Sequence, residues 1–291
     1  AGTGASVSLP VAERPFLTAL TSRRADHGFL CIGLDPEPSA LPPGYTGPEG
    51  AARFCRELIW ATEDLVLAYK PNLAFFERWG VEGMAALSEV VAAVPSGIPV
   101  IADGKRGDIG NTSRAYAEGL YEALPAGACT VSPYLGPDAV APLLDHPRGF
   151  AFVLCRTSNP GAAALQDLLV DGEPLYVRVL HLFAPWLERG VAGLVIGARE
   201  RAAFAWAARL APLAPILVPG IGAQGGTVEE LAAALSPGQA RRLVVSVSRS
   251  IIHASHGPDF ASAARAAAIG LRDQLDMTLR AGEEADGNPA V

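Results

Sequence analysis

The sequence is poor in charge, and what charge it has is more acidic than basic. Charged residues make up 18% of its 291 positions, and the formal net charge is −7. Broad nucleic-acid binding needs a basic face, so this balance argues against a nucleic-acid partner. A small anionic substrate is still compatible with it, because a local basic cluster can act inside an acidic protein.

Long apolar runs are also missing. No run reaches the roughly 18 residues that a membrane-spanning helix needs, and the N-terminus lacks the basic-then-apolar pattern of a signal peptide. Hydrophobic residues nonetheless make up 50% of the chain, which is typical of a globular protein. We therefore expect a soluble, cytoplasmic protein without a membrane partner.

Cysteine is scarce, and its spacing carries no motif. The cysteines are Cys31, Cys55, Cys129 and Cys155. Without a CxxC pair they predict neither a zinc site nor a redox centre, and scattered free thiols fit a reducing compartment. His253 and His256 lie three residues apart, but no nearby acid completes a ligand set, so we expect no metal.

Short β-branched runs alternate with stretches rich in Ala, Leu, Glu and Arg. Most of the runs are nearly continuously apolar, as expected for strands buried on both faces of a parallel sheet. They cover residues 29–35, 65–71, 98–105, 129–134, 150–157, 193–198, 215–222 and 243–249. The stretches between them leave room for helices. Eight βα units predict the α/β class and a single-domain (β/α)8 TIM barrel, with a doubly wound open sheet as the alternative.

The expected domain organisation has one folded unit. Residues 13–280 are predicted to form the barrel, with residues 1–12 as an N-terminal extension and residues 281–291 as a C-terminal tail, because both ends are small, polar or rich in Pro and Gly. In the longest gap between strands, residues 158–174 are predicted to be a loop, either a lid over a site or an ordinary insertion. Residues 175–189 have the pattern of an amphipathic helix.

Polar side chains stand at the carboxyl ends of six predicted strands. In a barrel of this kind, working groups cluster at that end. One polar residue there is commonly the start of a solvated loop, whereas six such ends together indicate one polar ligand. The residues are Asp35, Lys70, Asp103 with Lys105, Ser158, Gln224 and Arg249.

The segment 103–119 carries the most informative motif. Asp103 and Lys105 are two residues apart on an extended segment, so they point to the same side. Asp108 lies near a predicted helix start, with Thr112 on the same helical face. A lysine between carboxylates keeps its proton, which suits it to protonate a basic carbon better than to attack as a free amine. A surface cluster of salt bridges is the alternative interpretation.

A glycine-rich turn and an arginine predict an anion site. Residues 218–226 follow the seventh run, and Arg249 ends the eighth. Consecutive N–H groups in such a turn can bind an anion, and an arginine can fork onto a phosphate. Barrels often place a phosphate between these two loops. Pro219 and Gly222 of this turn therefore join Arg249 as predicted substrate-binding residues.

The same glycines also spell GxGxxG, the dinucleotide-binding fingerprint, at Gly220, Gly222 and Gly225. That fingerprint needs an acidic residue about 20 positions later, and Glu229 and Glu230 come too early. The motif also lies in the seventh unit and not in the first. We therefore expect no dinucleotide, and neither a P-loop nor a GxSxG nucleophile elbow is present.

Taken together, the motifs resemble the orotidine 5′-phosphate decarboxylase family, and in wording its longer bacterial branch. The run from Asp103 through Lys105 to Asp108, followed by Ile109 and Thr112, is similar to the family signature. Further matches lie at residues 33–35 (GLD), 70–72 (KPN), 132–134 (SPY), 157–160 (TSNP), 219–222 (PGIG) and 248–250 (SRS). Because related sugar-phosphate decarboxylases and aldolases share DxKxxD, the whole set carries the resemblance.

The resemblance implies a reaction and its catalytic residues. It implies decarboxylation of orotidine 5′-monophosphate to uridine 5′-monophosphate and CO2, in de novo pyrimidine biosynthesis and without a cofactor. Lys105 would protonate C6 of the pyrimidine. Lys70, Asp103 and Asp108 would complete an alternating charged array around it. Asp103, near the departing carboxylate, would add ground-state repulsion.

The resemblance also implies substrate ligands for the rest of the nucleotide. Asp35 and Lys70 resemble the residues that bind the ribose hydroxyls. Ser158 resembles the residue that contacts the pyrimidine ring. Gln224 and Arg249 resemble the phosphate ligands.

A homodimer follows from the same resemblance, because Asp108, Ile109 and Thr112 would complete the site of the partner subunit. Two other interpretations remain open. One is a metal-dependent sugar-phosphate decarboxylase or aldolase of the same barrel type, against which Lys70 argues because it puts a cation where such enzymes place an acidic ligand. The other is a phosphate-binding barrel without catalysis.

Overall fold

The protein is described here by a computed structural model that covers residues 14–222 and 225–285. Its strands in chain order are β1 (Leu30–Leu34), β2 (Ala68–Pro71), β3 (Ile101–Arg106), β4 (Ala128–Val131), β5 (Ala151–Arg156), β6 (Leu169–Val170), β7 (Glu173–Pro174), β8 (Ala192–Ile196), β9 (Ile216–Pro219) and β10 (Leu243–Val247). Each of the eight predicted runs contains or overlaps one of the longer strands.

Helices alternate with these strands. They are α1 (Pro15–His27), α2 (Gly47–Thr62), α3 (Ala74–Glu77), α4 (Gly80–Ala92), α5 (Gly110–Glu118), α6 (Pro137–Leu144), α7 (Ala163–Gln166), α8 (Leu175–Glu188), α9 (Arg201–Leu210), α10 (Val228–Ala234), α11 (Arg249–Ile252) and α12 (Phe260–Ala285). Short 3-10 turns occupy Pro38–Ala40 and Ala240–Arg242, and a π turn occupies Gly119–Ala123. No helix in the described ranges is both long and apolar enough to cross a membrane.

The longer strands form one parallel sheet in the order β2-β1-β10-β9-β8-β5-β4-β3. The sheet curls round until its two edge strands meet. There β2 and β3 are joined through isolated bridges, Tyr69 with Val100 and Asn72 with Asp103. The predicted (β/α)8 barrel is confirmed, and the open-sheet alternative is wrong.

The interior of the barrel is apolar at the bottom and polar at the top. The apolar layer is formed mainly by inward-facing strand residues, among them Cys31, Ala68, Ile101, Ala128, Phe152, Val195, Leu217 and Val244. Side chains along a strand return to the same face every second residue. The next inward positions are polar or charged: Lys70, Asp103, Thr130 and Ser246. The strands thus lift these groups above a water-excluding floor, at their carboxyl ends.

Helix α1 closes the bottom of the barrel. Its Phe16 packs against Phe150 and Phe152, with ring centroids 4.9 and 5.9 Å away. Arg14, just before the helix, is buried and donates to the carbonyl oxygens of His146 and Gly149 at 2.6 and 3.2 Å. These contacts fix the segment before the first strand on the face opposite the polar layer.

The segment 158–174 differs from the predicted loop. It forms the short helix α7 and the antiparallel hairpin of β6 and β7. The hairpin turn consists of Asp171 and Gly172, both with positive φ (55° and 85°). An Asp-Gly pair favours such two-residue turns, so the sequence held a signal for this hairpin. The helix predicted at 175–189 is confirmed as α8.

The C-terminal boundary also differs. Helix α12 continues to Ala285, so the boundary expected after residue 280 falls inside a helix. Its last turns are rich in Ala and Glu, which are good helix formers. The predicted N-terminal extension, residues 1–12, lies outside the described residues, as do residues 286–291 of the predicted tail.

Replacing Phe16 by Ala is expected to destabilise the barrel without damaging the polar layer. Loss of a buried aromatic side chain costs about 3–5 kcal/mol in the free energy of unfolding. Urea unfolding of Phe16→Ala should show this loss, while the exposed Val81→Ala should change stability by less than about 0.5 kcal/mol. Equal stability of the two variants would contradict the packing described for α1.

Candidate active site

Asp103 is the centre of the polar layer. Its carboxylate accepts three hydrogen bonds from side chains on β2, β3 and β4. Lys70 Nζ donates to Oδ2 at 2.7 Å, and Lys105 Nζ donates to Oδ1 at 2.7 Å. Thr130 Oγ1 donates to Oδ1 at 2.8 Å. The four residues therefore form one connected cluster at the carboxyl ends of adjacent strands.

The charges of this cluster stabilise one another. Burial raises the pKa of Asp103, but the ammonium groups of Lys70 and Lys105 outweigh it and hold that pKa well below its usual range. Burial likewise lowers the pKa of Lys70, but the carboxylates of Asp103 and Asp35 outweigh it and raise the pKa above its usual value. Asp103 and Lys70 are therefore both charged at neutral pH.

The two lysines of this cluster are the only lysines in the sequence; the rest of its 23 Lys and Arg residues are arginines. The two lysines differ in how far their side chains are exposed to solvent. The side chain of Lys70 is 7% exposed, whereas that of Lys105 is 51% exposed. Lys70 is a fixed counter-charge, and Lys105 presents its ammonium group to the cavity above.

That cavity has a volume of about 860 Å³. This lies within the range of about 300–1,000 Å³ typical of small-molecule pockets. Nine of its lining residues come from the ends of the strands or directly after them: Asp35, Lys70, Asp103, Lys105, Thr130, Thr157, Ser158, Pro219 and Arg249. Seven of these were predicted from the sequence, and the structure brings them to one cavity.

Asp35 offers an acceptor to a ligand. It follows β1, on the strand next to the one that carries Lys70. Its Oδ1 atom is buried, and no group within the described ranges donates a hydrogen bond to it. A buried carboxylate oxygen without a donor is costly, so a ligand hydroxyl at this position would be favoured.

The opposite side of the cavity carries the glycine-rich turn and an arginine. Pro219, Gly220 and Arg249 line it, and Gly220 has a positive φ of 104°. Gly222 adopts φ 77° and is not among the lining residues; a Cβ added there would lie 3.0 Å from Ser250 Oγ. Gln224, the remaining predicted ligand here, lies outside the described residues.

The segment after β5 forms one wall of the cavity. Ser158 and Asn159 line it, and Thr157 Oγ1 donates to Asn159 Oδ1 at 2.6 Å. Behind this wall, Arg156 holds Asp167 through two hydrogen bonds of 2.8 and 3.0 Å. The wall is thus connected to the helical part of the insertion as well as to the barrel.

Three further predicted site residues lie outside this cavity, as Gly222 does. Asp108 and Ile109 precede helix α5, Thr112 lies in its first turn, and none of them is among the lining residues. The side chain of Ile109 is 63% exposed. Thr112 is exposed as well, and Asp108 is half-buried.

Thr130, Gln166 and Arg199 also line the cavity, and the sequence analysis did not single them out. Thr130 is the one of these that the sequence could most readily have predicted. It is a polar residue at an inward position of a predicted apolar strand, two residues after Ala128. Buried polar groups need hydrogen-bond partners, so this position alone indicated a partner above the floor.

Across residues 14–222 and 225–285, no group of three or more His, Cys, Asp and Glu side chains is placed to hold a metal ion. The four cysteines are free and buried.

Comparison with known proteins gives one family. The family model described as "Orotidine 5'-phosphate decarboxylase / HUMPS family" matches residues 28–266. A Roseiflexus castenholzii protein named orotidine 5′-phosphate decarboxylase is 49% identical over 255 residues, which cover 87% of this chain and 93% of that protein.

Solved structures give the same result. The structure of Leishmania donovani OMP decarboxylase has a TM-score of 0.79 and 38% identity, and the match covers 91% of this chain and 98% of that one. Leishmania donovani UMP synthase has a TM-score of 0.80 and 41% identity over 89% of this chain. This chain spans 56% of that longer protein.

Substitution of Asp103 by Asn is expected to make stability less dependent on acid. The folded pKa of Asp103 lies below the unfolded one, so its ion pairs contribute fully above about pH 4 and are lost as the pH falls towards the folded pKa. Breaking a buried pair on one side costs about 3–5 kcal/mol at neutral pH.

Urea unfolding between pH 7 and pH 3 measures this effect. The gap in unfolding free energy between wild type and Asp103→Asn should be largest at pH 7 and should narrow below pH 4. Asp171→Asn, in the exposed hairpin turn, leaves the cluster intact and is the control. A gap of constant size over the whole range would contradict the charge state assigned to Asp103.

Proposed function

The chain belongs to the orotidine 5′-phosphate decarboxylase / HUMPS family, and from that membership we propose that it converts orotidine 5′-monophosphate to uridine 5′-monophosphate and CO2. One observation carries the proposal: both lysines of the chain donate to a single buried carboxylate at one end of a cavity of nucleotide size. Metal-dependent relatives, as the sequence resemblance implies, have an acidic ligand where this chain has Lys70.

Loss of CO2 from C6 of the pyrimidine leaves the electron pair of the broken C–C bond on that carbon. The carbanion needs stabilisation by fixed charge and then a proton. Lys105 supplies both, because its ammonium group is charged, reaches the cavity and carries donors that Asp103 does not use. The proton passes from Lys105 Nζ to C6, which gives the product and a neutral amine that solvent reprotonates.

Lys70 is poorly suited to that role. Its side chain is almost fully buried and its pKa is raised by Asp103 and Asp35, although burial opposes this. It acts instead as a permanent positive charge that keeps Asp103 ionised and adds to the potential that stabilises the carbanion. Within the single chain, Asp103 lies between two ammonium groups, and that of Lys105 is the one exposed to the cavity.

The remaining predicted ligands have positions that suit the rest of the nucleotide. The acceptor oxygen of Asp35 suits a ribose hydroxyl, and Ser158 suits the pyrimidine. Arg249 and the turn at Gly220 suit the phosphate, and the family resemblance adds Gln224 to them. Because the phosphate does not react, its binding energy can be used to position the pyrimidine against Lys105.

A homodimer completes the proposal. Asp108, Ile109 and Thr112 lie outside the cavity of their own chain, and an exposed isoleucine at that place suits burial against another subunit. We assign these residues to the site of the partner subunit. We also assign the protein to the cytoplasm, because its buried free thiols suit a reducing compartment.

The Lys105→Ala variant tests the assigned chemistry. It should fold with the stability of the wild type or close to it, since the side chain is half exposed, and its turnover of orotidine 5′-monophosphate should fall below detection. The loss of the orotate absorbance measures turnover. Arg106→Gln, which removes the neighbouring cation but keeps the cluster, is the control and should retain activity. Turnover in Lys105→Ala near the wild-type rate would contradict the mechanism.

Mixing inactive variants tests the shared site. When Asp108→Asn and Lys105→Ala proteins exchange subunits, one of the two sites in each mixed dimer is intact, so activity should rise to about a quarter of the wild-type value. A mixture of Asp103→Asn with Lys105→Ala is the control, because each mixed dimer then has two damaged sites. Equal recovery in both mixtures, or full activity of Asp108→Asn alone, would contradict the shared site.

A further inference from the structure

The strand that carries Lys105 is irregular at the point where the lysine lies. Cys129 of β4 pairs with Ala102 of β3, and Val131 pairs with Arg106. Two residue steps along β4 therefore correspond to four along β3, so β3 bulges between the two pairs. Lys105 lies in this bulge and has a φ of 46°. A non-glycine residue with positive φ costs about 1–3 kcal/mol and persists only where its surroundings hold it.

Thr130 is the residue of β4 that lies opposite the bulge. It is 2% exposed, and its hydroxyl group makes two hydrogen bonds to the bulged strand. The backbone N–H of Lys105 donates to Thr130 Oγ1 at 3.0 Å. Thr130 Oγ1 donates in turn to Asp103 Oδ1 at 2.8 Å. The direction is fixed, because an ionised carboxylate only accepts hydrogen bonds.

Together with the ion pair of Lys105 and Asp103, these hydrogen bonds form a closed ring of three residues. Asp103 Oδ1 accepts from Thr130 and also from Lys105 Nζ. The side-chain ammonium group of Lys105 is therefore bonded directly to Asp103 Oδ1. The backbone N–H of Lys105 is connected to the same oxygen atom through the Thr130 hydroxyl group. A side chain without the hydroxyl group would leave the Lys105 N–H without its acceptor and Asp103 with one donor fewer.

We propose that Thr130 is a positioning residue, which places the Lys105 ammonium group for protonation of the pyrimidine carbon. The inference rests on the proposed decarboxylase function. It adds a residue from β4 to the machinery on β2 and β3. Thr130 acts through Lys105 and Asp103, so its removal should impair the chemical step more than substrate binding.

Three substitutions at one position separate positioning from general packing. Thr130→Val keeps the shape and removes the hydroxyl group, Thr130→Ser keeps the hydroxyl group, and Thr130→Cys offers only a weak hydrogen-bonding atom. A misplacement of a reacting group by about 1 Å can cost 100-fold, so kcat of Thr130→Val should fall roughly 10- to 100-fold with little change in KM. Thr130→Ser should keep a kcat close to that of the wild type, with Thr130→Cys between the two.

Thr62 provides the matched control. It is also a buried threonine whose hydroxyl group makes two hydrogen bonds, to Leu58 O and to the hydroxyl of Tyr69, both at 2.7 Å. It lies outside the cavity. Thr62→Val should lower stability as Thr130→Val does but leave kcat unchanged. If Thr130→Val cannot be purified, the comparison of Thr130→Ser with Thr130→Cys decides, and equal kcat values for these two would overturn the proposal.

The scarcity of lysine offers a direct readout of position. Protein labelled isotopically at lysine Cε has two lysine side-chain signals within this sequence, from Lys70 and Lys105. In Thr130→Val the Lys105 signal should shift or broaden, and in Thr62→Val both signals should stay in place. An unchanged Lys105 signal together with unchanged kcat in Thr130→Val would overturn the proposal. Wild-type protein that does not decarboxylate orotidine 5′-monophosphate would instead contradict the proposed function itself.

Discussion

The pairing of one carboxylate with two ammonium groups is the interaction on which the site depends. Lys70 and Asp103 belong to β2 and β3, the two strands that meet where the barrel closes through isolated bridges and not through a regular ladder. Their buried ion pair therefore spans the junction at which the sheet closes. A buried charge needs a partner, so each side chain fixes the place and the charge of the other.

The apolar floor below the cluster gives these charges their strength. Inward side chains such as Ala68, Ile101 and Ala128 exclude water from beneath the cluster, and α1 closes the barrel below them. Charges interact more strongly where water is excluded on one side. Lys105 differs in exposure, because it lies in a bulge of β3 and its side chain is exposed to the cavity. The fold thus gives the two lysines that bind Asp103 different exposures, and so different possible roles.

Much of the fold could be read from the sequence, because parallel strands buried on both faces leave an apolar signal. Alternation along the strands also placed Lys70, Asp103 and Lys105 together, since their ends must meet at one rim of a barrel. Ser158 and Arg249 line the same cavity for that reason, because they too follow the carboxyl ends of strands. The hairpin at Asp171 and Gly172 was missed, although its turn residues were visible, because its strands are only two residues long.

Other features of the site depend on three-dimensional detail that the spacing of residues in the sequence does not determine. The bulge at Lys105 and its support by Thr130 depend on the register of β3 against β4. The position of Asp108 outside its own cavity depends on where α5 begins. Both concern the path of the backbone after a strand, which hydrophobic periodicity does not determine.

The most direct test of the central claim is the rate at which the wild-type protein, dialysed against EDTA, consumes orotidine 5′-monophosphate. If the cluster of Lys70, Asp103 and Lys105 performs the chemistry, the orotate absorbance should disappear rapidly and added magnesium should not change the rate. No loss of absorbance, with magnesium-dependent turnover of a sugar-phosphate acid instead, would contradict the role given to Lys70 and move the protein to its metal-dependent relatives.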